Sequence, residues 1–492
     1  MAIFKYSYSL GKKGLALAKR KFKNDPLTVP EKFCWRSSGK TADTYRSNFQ
    51  RDRDRILYSK SFRRLNGKTQ VFLSQAHDHV RNRLTHTLEV VQISRVTARQ
   101  LALNEDLAEA IALGHDIGHT PFGHIGERAL NYIMNNCENI GLDVPRKTTA
   151  GFKHNWQSLR IACELNSLYD ENHGMDLSNF TLWGILHHSN TFWKQCEHYF
   201  YGKCFLGISE QNCPNDGTTM LSAYEQYEPY TKINNDNPAW SFEGRLVNLA
   251  DEIAQRHHDI EDAFIMGILN KKDIIAIFKK HFEDLLEDDD IQNLYLVESK
   301  LDSYFLPLIS KLIVHFYNKN LINHSASMMR KFMKKYNIKN KTDFAQKYLS
   351  VDPDEAEKSI DFPRELKEAD KKFKGFLRDT ILNSFWVQRM DGKGLYVIKK
   401  LFKAYLTNPN QLHDYTIIRA FNMFDTDIKL DANKINKQEL GDLRNKLSKT
   451  ELKNSPEFQS ALLRSICDHI AGMTDSFVIS EYNKLYGDAP IG

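Results

Sequence analysis

From about residue 83 onward the apolar positions follow the 3.6-residue period of helices rather than the alternation of strands. Leu84, Leu88, Val91, Ala98 and Leu101 fall at spacings of four, three, seven and three, which predicts an amphipathic helix. Asn104 has the chemistry of an N-cap, and Glu105 and Asp106 follow in a first turn that favours negative charge. The next helix, through Leu107, Ala110 and Ile111, is expected to stop at the Gly118, Pro121, Gly123 cluster. Helix is predicted again from near Trp240, through Leu246, Val247, Ala250, Ile253 and Ala254, to about Phe264. Between these, residues 189–239 are rich in Asn, Tyr, Gly and Pro and lose the period, so they read as an insertion, irregular or β-containing. Further on, LEDDDIQ (286–292) and VDPDEAEK (351–358) are acidic breaks around a basic stretch at 328–341. That stretch reads as a solvated helix face, with phosphate or nucleic acid as the alternative. No repeat or low-complexity linker divides the chain, so the fold class is mainly α, one intertwined helical body.

Composition narrows the class without naming a function. The chain has 492 residues, 41% apolar and 26% charged, which excludes collagen-like, disordered and mini-protein classes. No stretch approaches the roughly 20 apolar residues of a membrane span. Seven cysteines, an odd and scattered set, fit a reducing cytoplasm. Cys196, His198, Cys204 and Cys213 lack short CxxC pairs and read as free thiols rather than a zinc site. GKKG (11–14) does not make a P-loop. The formal charge of +6 is mild, but residues 1–64 carry net +12. This basic segment calls for an acidic partner, with phosphate the usual one. Single-stranded nucleic acid stays open as a partner.

Chemistry concentrates in LGHDIGHTPFGH. His115 and Asp116 offer two metal ligands from one point of the backbone, provided the helix ends there. One helix earlier lies His86 in NRLTHTLEV, and far downstream Asp251 in LADEIAQRHHDIEDA, both on predicted helices. Two histidines and two aspartates make a mixed N/O set suited to Mn, Mg, Fe, Co, Ni or Zn. Such a site leaves positions for water and a phosphate oxygen. His124 and Glu127, three apart, would share a face if a helix starts at Gly123, with the carboxylate orienting the imidazole and raising its pKa.

H…HD…D at these spacings resembles the HD superfamily of metal-dependent phosphohydrolases. The blocks YRSNFQRDRDRILYSKSFRRLNGKTQVF (45–72), NRLTHTLEV (82–90), ALGHDIGHTPFGHIGERAL (112–130), GFKHNWQSLR (151–160), ADEIAQRHHDIEDA (250–263) and ICDHIAGMTDSF (466–477) are similar, in order, to those of the deoxyguanosine triphosphate triphosphohydrolase (dGTPase) family. The resemblance implies a helical HD fold that hydrolyses a dNTP at the α-phosphorus with metal-activated water, giving a deoxynucleoside and triphosphate. It implies His86, His115, Asp116 and Asp251 as metal ligands, His124 as catalytic histidine and Glu127 as its orienting acid. It places Arg83 on substrate phosphates, Gln70 and Asp259 near the deoxyribose and His154 near the α-phosphate. It also implies a homo-oligomer, commonly a tetramer or hexamer, and a nucleotide effector at a second site. The family usually has Tyr where this chain has Gln255, which puts discrimination against ribonucleotides in question. The alternatives are an HD phosphohydrolase acting on another nucleotide or nucleic-acid end, and a nucleotide-sensing or single-stranded-DNA-binding regulator. The expected organisation is a basic segment (1–35), an HD core (36–270) and a helical C-terminal region (271–492) packed on it. Within the basic excess, the part from Arg46 through Arg64 is expected to face nucleotide phosphate.

Overall fold

Polar caps set the starts of the helices that lead to the four predicted metal ligands. In a computed structural model, which describes residues 25–39, 45–72, 80–137, 150–166, 174–191, 221–425, 430–431, 434–449, 452 and 454–487, nearly all regular structure is helical. The principal helices are α1 (Asn48–Leu57), α2 (Arg83–Leu101), α3 (Glu105–Gly114), α4 (His124–Met134), α5 (His154–Arg160), α6 (Asn179–His187) and α7 (Phe242–Ile265). After these come α8 (Lys271–Phe282), α9 (Asp288–Ser299), α10 (Asp302–Lys335), α11 (Arg364–Leu382) and α12 (Phe385–Thr407). The chain closes with α13 (Asp414–Phe424), α14 (Lys437–Leu447), α15 (Pro456–Ala471) and α16 (Asp475–Tyr486). Asn82, Asn104 and Ser241 cap α2, α3 and α7, each accepting a hydrogen bond from a backbone N–H of the first turn. No helix among the described residues is long and apolar enough to cross a membrane.

The predicted helix over 83–101 is present, and Val91, Ala98 and Leu101 of the expected stripe are buried, but Leu84 and Leu88 are not part of the buried seam. Leu88 is 50% exposed and Leu84 only partly buried, whereas Arg83, His86, Thr87, Val90, Val91, Ile93, Ser94, Thr97, Ala98 and Leu101 face inward. The seam keeps helical spacing, but half of it is polar. Hydrophobic periodicity alone therefore misses the polar half of the seam, where the candidate site lies.

Two apolar cores divide the described residues. The larger gathers α1, α2, α3, α6, α7 and α10. The second gathers α4, α12, α13, α15 and α16 around Phe122, Ile125, Ile398, Leu401, Phe421 and Ile466. The segment between α3 and α4, residues 115–123, therefore runs from one core into the other.

The acidic breaks have a structural use: Glu287 and Asp352 sit at N-caps, with further acids in the first turns of α9 and of a short helix at Pro353–Glu357. The basic stretch forms the end of α10, where Lys335 pairs with Glu355. The N-terminal arginines differ from expectation. Arg36 pairs with buried Asp52, Arg46 and Arg53 with Asp54, and Arg55 with Asp176, so these charges neutralise the protein's own carboxylates. Of the insertion, residues 192–220 lie outside the described residues, along with Cys196, His198, Cys204 and Cys213 and most of the basic segment 1–35. Its described end holds a 3-10 helix, Ser222–Thr231, and a single antiparallel bridge between Lys232 and Pro238.

Glu243, in the first turn of α7, is fully buried and accepts from Asn104 N at 2.8 Å, while its second carboxylate oxygen has no partner. Burial pushes its pKa up from 4.5 to about 7. The folded chain thus holds this proton more tightly than the unfolded chain. Stability from this group is greatest below pH 4.5 and falls as pH rises to 7, by up to about 3 kcal/mol. Glu243→Gln, which keeps the acceptor, should flatten the slope of unfolding free energy between pH 4.5 and 7 in denaturant titrations. An unchanged slope would show that Glu243 does not carry it.

Candidate metal centre and active site

Three helices of the larger core bring the four predicted ligands together. His86 leaves the first turn of α2, His115 and Asp116 the C-terminal end of α3, and Asp251 the middle of α7. His86 Nε2 lies 2.9 Å from Asp251 Oδ1, and His115 Nε2 lies 3.5 Å from Asp116 Oδ1. Ligand atoms of His86, His115 and Asp116 are all within 4.8 Å of one another. The adjacent pair can converge because α3 ends at Gly114, four residues before the glycine expected to stop it, so both side chains leave a turn.

The donor chemistry fits a divalent ion. His115 Nδ1 donates to Ala112 O at 2.6 Å, which leaves the lone pair on Nε2. That Nε2 is buried and has no hydrogen-bond partner. A buried lone pair without a partner is costly, and an ion beside two carboxylates would satisfy it. Burial pushes the Asp116 carboxyl upward, but His115, His119 and Arg83 outweigh it and hold the group well below the usual carboxylate range. Burial likewise acts upward on Asp251, and the hydrogen bond and charge of His86 bring it down. Both are therefore available as ligands in their anionic form.

The turn from His115 to Gly123 is tightly determined. A Cβ on Gly118 would fall 2.1 Å from His154 O and 2.2 Å from Ser158 N, so only glycine lets α5 approach this close. Ser158 Oγ accepts from Gly118 N at 2.9 Å and donates to His115 O at 3.0 Å. At the other end Phe122 (φ 59°) and Gly123 (φ 61°) both have positive φ. Asp475 of α16 secures this bend, accepting from Phe122 N at 2.8 Å with one oxygen and from Thr69 N at 2.8 Å with the other, which also bonds the Thr69 hydroxyl.

Beyond the turn, His124 opens α4. Its Nδ1 lies 3.3 Å from Glu127 Oε2, and Glu127 Oε1 accepts from both the backbone N (2.9 Å) and Nδ1 (2.8 Å) of His154. Burial acts to raise the Glu127 carboxyl, but its histidine partners hold it well below the ordinary range. His124 is 66% exposed, whereas Glu127 and His154 are buried. The structure therefore places the predicted pair at the open side of the histidine cluster.

Arg83 is buried, with Nη1 on Asp116 Oδ2 at 2.7 Å and with Nε and Nη2 lacking partners. Gln70, whose Oε1 is also buried and unpartnered, runs close by: Arg83 Nη2 and the Gln70 backbone O would each be 3.4 Å from a Cβ on Gly123. Asp251, Gln255 and Asp259 form a row at spacings of four on α7, where Gln255 Nε2 donates to both Asp251 oxygens at 3.2 and 3.3 Å. Burial pushes Asp259 up to about 6.

Two histidines escaped the sequence analysis. His119 Nε2 lies 3.1 Å from Asp116 Oδ1, and its ring stacks on His154 at 3.9 Å, linking the candidate metal set to the His124–Glu127 pair. The signal was its spacing of four from His115. His188, at the end of α6, sits 5.1 Å from the His115 ring and 3.4 Å (Nε2 to Nε2) from His154. Nothing local in LHHSN marks it.

An HD-domain model matches residues 83–256, which hold all four predicted ligands, His124 and Glu127, and a phosphohydrolase-associated model matches 360–423 and 440–484. The chain is 31% identical to a deoxyguanosinetriphosphate triphosphohydrolase-like protein of Rickettsia felis, over 90% of this chain and 92% of the relative. Proteins with the same description from Nitrosomonas europaea and Rickettsia prowazekii are each 32% identical, over 90% of this chain and 91% and 92% of their own lengths. The chain belongs to the dGTPase-like family of HD-domain proteins. As a member of it, the protein is a metal-dependent hydrolase with a helical HD fold, and its His/Asp clusters are of the kind that hold the ion. In this dGTPase-like protein the phosphohydrolase-associated segment includes Asp475, so the matched C-terminal region reaches the turn that joins the candidate metal set to His124.

Asp475→Asn keeps one carbonyl acceptor and turns the other oxygen into a donor facing Thr69 N or Phe122 N. A buried N–H left unpaired costs about 1–3 kcal/mol. Denaturant melts should show a loss of that size, with faster amide exchange confined to residues 116–123 and 68–70. A loss of stability with no change of exchange in those segments would contradict the bracing role.

Proposed function

We propose that this protein hydrolyses deoxynucleoside triphosphates at the α-phosphorus, releasing a deoxynucleoside and inorganic triphosphate. The observation that carries the reading is Arg83: a buried guanidinium beside Asp116 with two unpartnered donors, in a protein whose relatives are named for a triphosphate substrate. Buried donors without partners are costly, and a planar fork matches a pair of phosphate oxygens. His86, His115, Asp116 and Asp251 would hold the ion. When bound, a divalent ion supplies Lewis acidity toward a phosphoryl oxygen and makes its water more acidic.

The chain's own residues do the remainder. Arg83 binds the polyphosphate and helps to neutralise charge at the reacting phosphoryl group. His124, at the open side, moves a proton at the leaving 5′ oxygen, and Glu127 orients it through Nδ1. His154, fixed by two bonds to Glu127, is assigned to the α-phosphate. Gln70 and Asp259 supply hydrogen bonds to the deoxyribose. Gln255 turns its amide toward Asp251, so no aromatic ring stands at that position against a ribose 2′-hydroxyl.

The test is product analysis with all four dNTPs and the matching NTPs, alone and mixed, with Mn²⁺ or Mg²⁺. Triphosphate is the expected product, and pyrophosphate or orthophosphate in its place excludes the reading. His124→Ala should lower kcat by about 10²–10⁴-fold with metal content unchanged. Asp116→Ala should lose the metal by elemental analysis. If His124→Ala keeps wild-type kcat, the proton-transfer role goes to another group.

A further inference from the structure

Behind the candidate metal set stands a second group of side chains, Glu89, His257 and His258, whose ligand atoms also approach one another as an ion's ligands would. Glu89 on α2 receives three donors: His258 Nε2 in a very short contact, His257 Nε2 at 3.1 Å and Arg81 through Nε at 3.2 Å, with Arg81 also held by Glu261. On its other side His258 Nδ1 lies 3.1 Å from His86 Nδ1, with both rings buried.

The position of the protons decides between a second ion site and a relay. A neutral imidazole that gives its Nε2 lone pair to an ion keeps its hydrogen on Nδ1. His86 Nε2 is the nitrogen that faces Asp251, so with an ion bound there its hydrogen sits on Nδ1 and is donated to His258 Nδ1. His258 must then hold a lone pair on Nδ1 and its hydrogen on Nε2. That hydrogen meets the Glu89 carboxylate, which accepts it. Both nitrogens of His258 are committed, so it has no lone pair left for a second ion.

We infer that Glu89 and His258 are positioning residues that fix the tautomer and orientation of His86 for metal binding, and that the Glu89, His257, His258 group is not a second metal site. This rests on His86 being a ligand, as proposed above. The line runs from carboxylate to imidazole to imidazole to ion, one imidazole longer than the usual carboxylate and histidine pair behind a metal. Arg81 and His257 keep the Glu89 carboxylate in place at the far end.

The experiment titrates metal-free full-length chain with Mn²⁺ by calorimetry, alongside thermal melts in EDTA. His258→Phe keeps a ring but removes the acceptor, and should weaken the Mn²⁺ Kd by about 10–100-fold without loss of folding. His258→Gln offers a carbonyl to His86 and an amide N–H to Glu89, and should restore most of the affinity. Glu89→Gln, at a carboxylate that is 35% exposed, should weaken binding in the same direction and serves if His258→Phe does not fold. His86→Ala is the control: if it leaves the Kd unchanged, the reading of the site fails and the relay with it. If His86→Ala weakens binding but His258→Phe and Glu89→Gln leave the Kd within twofold, the relay alone is wrong. Two Mn²⁺ per wild-type chain, one of them lost in Glu89→Gln, would overturn the inference in favour of a second ion.

Discussion

The structure depends on one turn of nine residues, His115 to Gly123, that passes between two apolar cores. Its first end carries two metal-ligand candidates on the larger core, and its last end starts the helix of His124 and Glu127 in the second. The relative position of the two half-sites is therefore set by this turn. That explains why it is so heavily constrained: a glycine that no other residue can replace against α5, a serine bonding it at two points, and left-handed conformations at Phe122 and Gly123 held by an aspartate over 350 residues away in sequence. In the proposed reaction, a phosphoryl group spanning both half-sites would tolerate little error in their separation.

The same region concentrates buried charge that would ordinarily destabilise a fold. Asp116, Glu127 and Asp251 are desolvated, and each is held anionic by histidine, with Arg83 also acting on Asp116. The pairing is incomplete in a consistent way. The unpartnered buried atoms at the site include His115 Nε2, a lone pair, and Arg83 Nε and Nη2, which are donors. A lone pair calls for a cation and donors call for an anion, so these leftover valences are those of a cation and an anion side by side.

Much of this was legible in the sequence because it was local. The cap at Asn104, the helix opening at Gly123 and the His124–Glu127 spacing depend on neighbours within four residues, and all stand as read. What was misread depended on partners far along the chain. Leu88 looked like core because apolar residues mark a seam only when the seam is apolar, and here His86 and Arg83 occupy it. Arg46, Arg53 and Arg55 looked available for phosphate because a charge count does not show that Asp54 and Asp176 already meet them. His188 and the pairing of His258 with His86 come from helices whose contact no spacing rule reveals.

The role of the C-terminal helices follows from the same geography. Lys68 is buried among carbonyls, bonding His119 O and, at 3.0 Å, Ala471 O, while burial and the charges of Arg64 and Arg83 push it down to about 7. Together with Asp475 it ties three stretches of chain, near residues 68, 119 and 471–475, into one polar junction under the turn. The apolar side of α4 is covered by α12 and α15, whose residues lie beyond the HD-matched segment 83–256. An isolated segment ending at α7 would keep the four ligand candidates but leave Phe122, Ile125 and Leu130 exposed and the bend at Phe122 without Asp475. The candidate metal set could then form while His124 had no fixed place beside it, so the two half-sites stand together only with both cores in place.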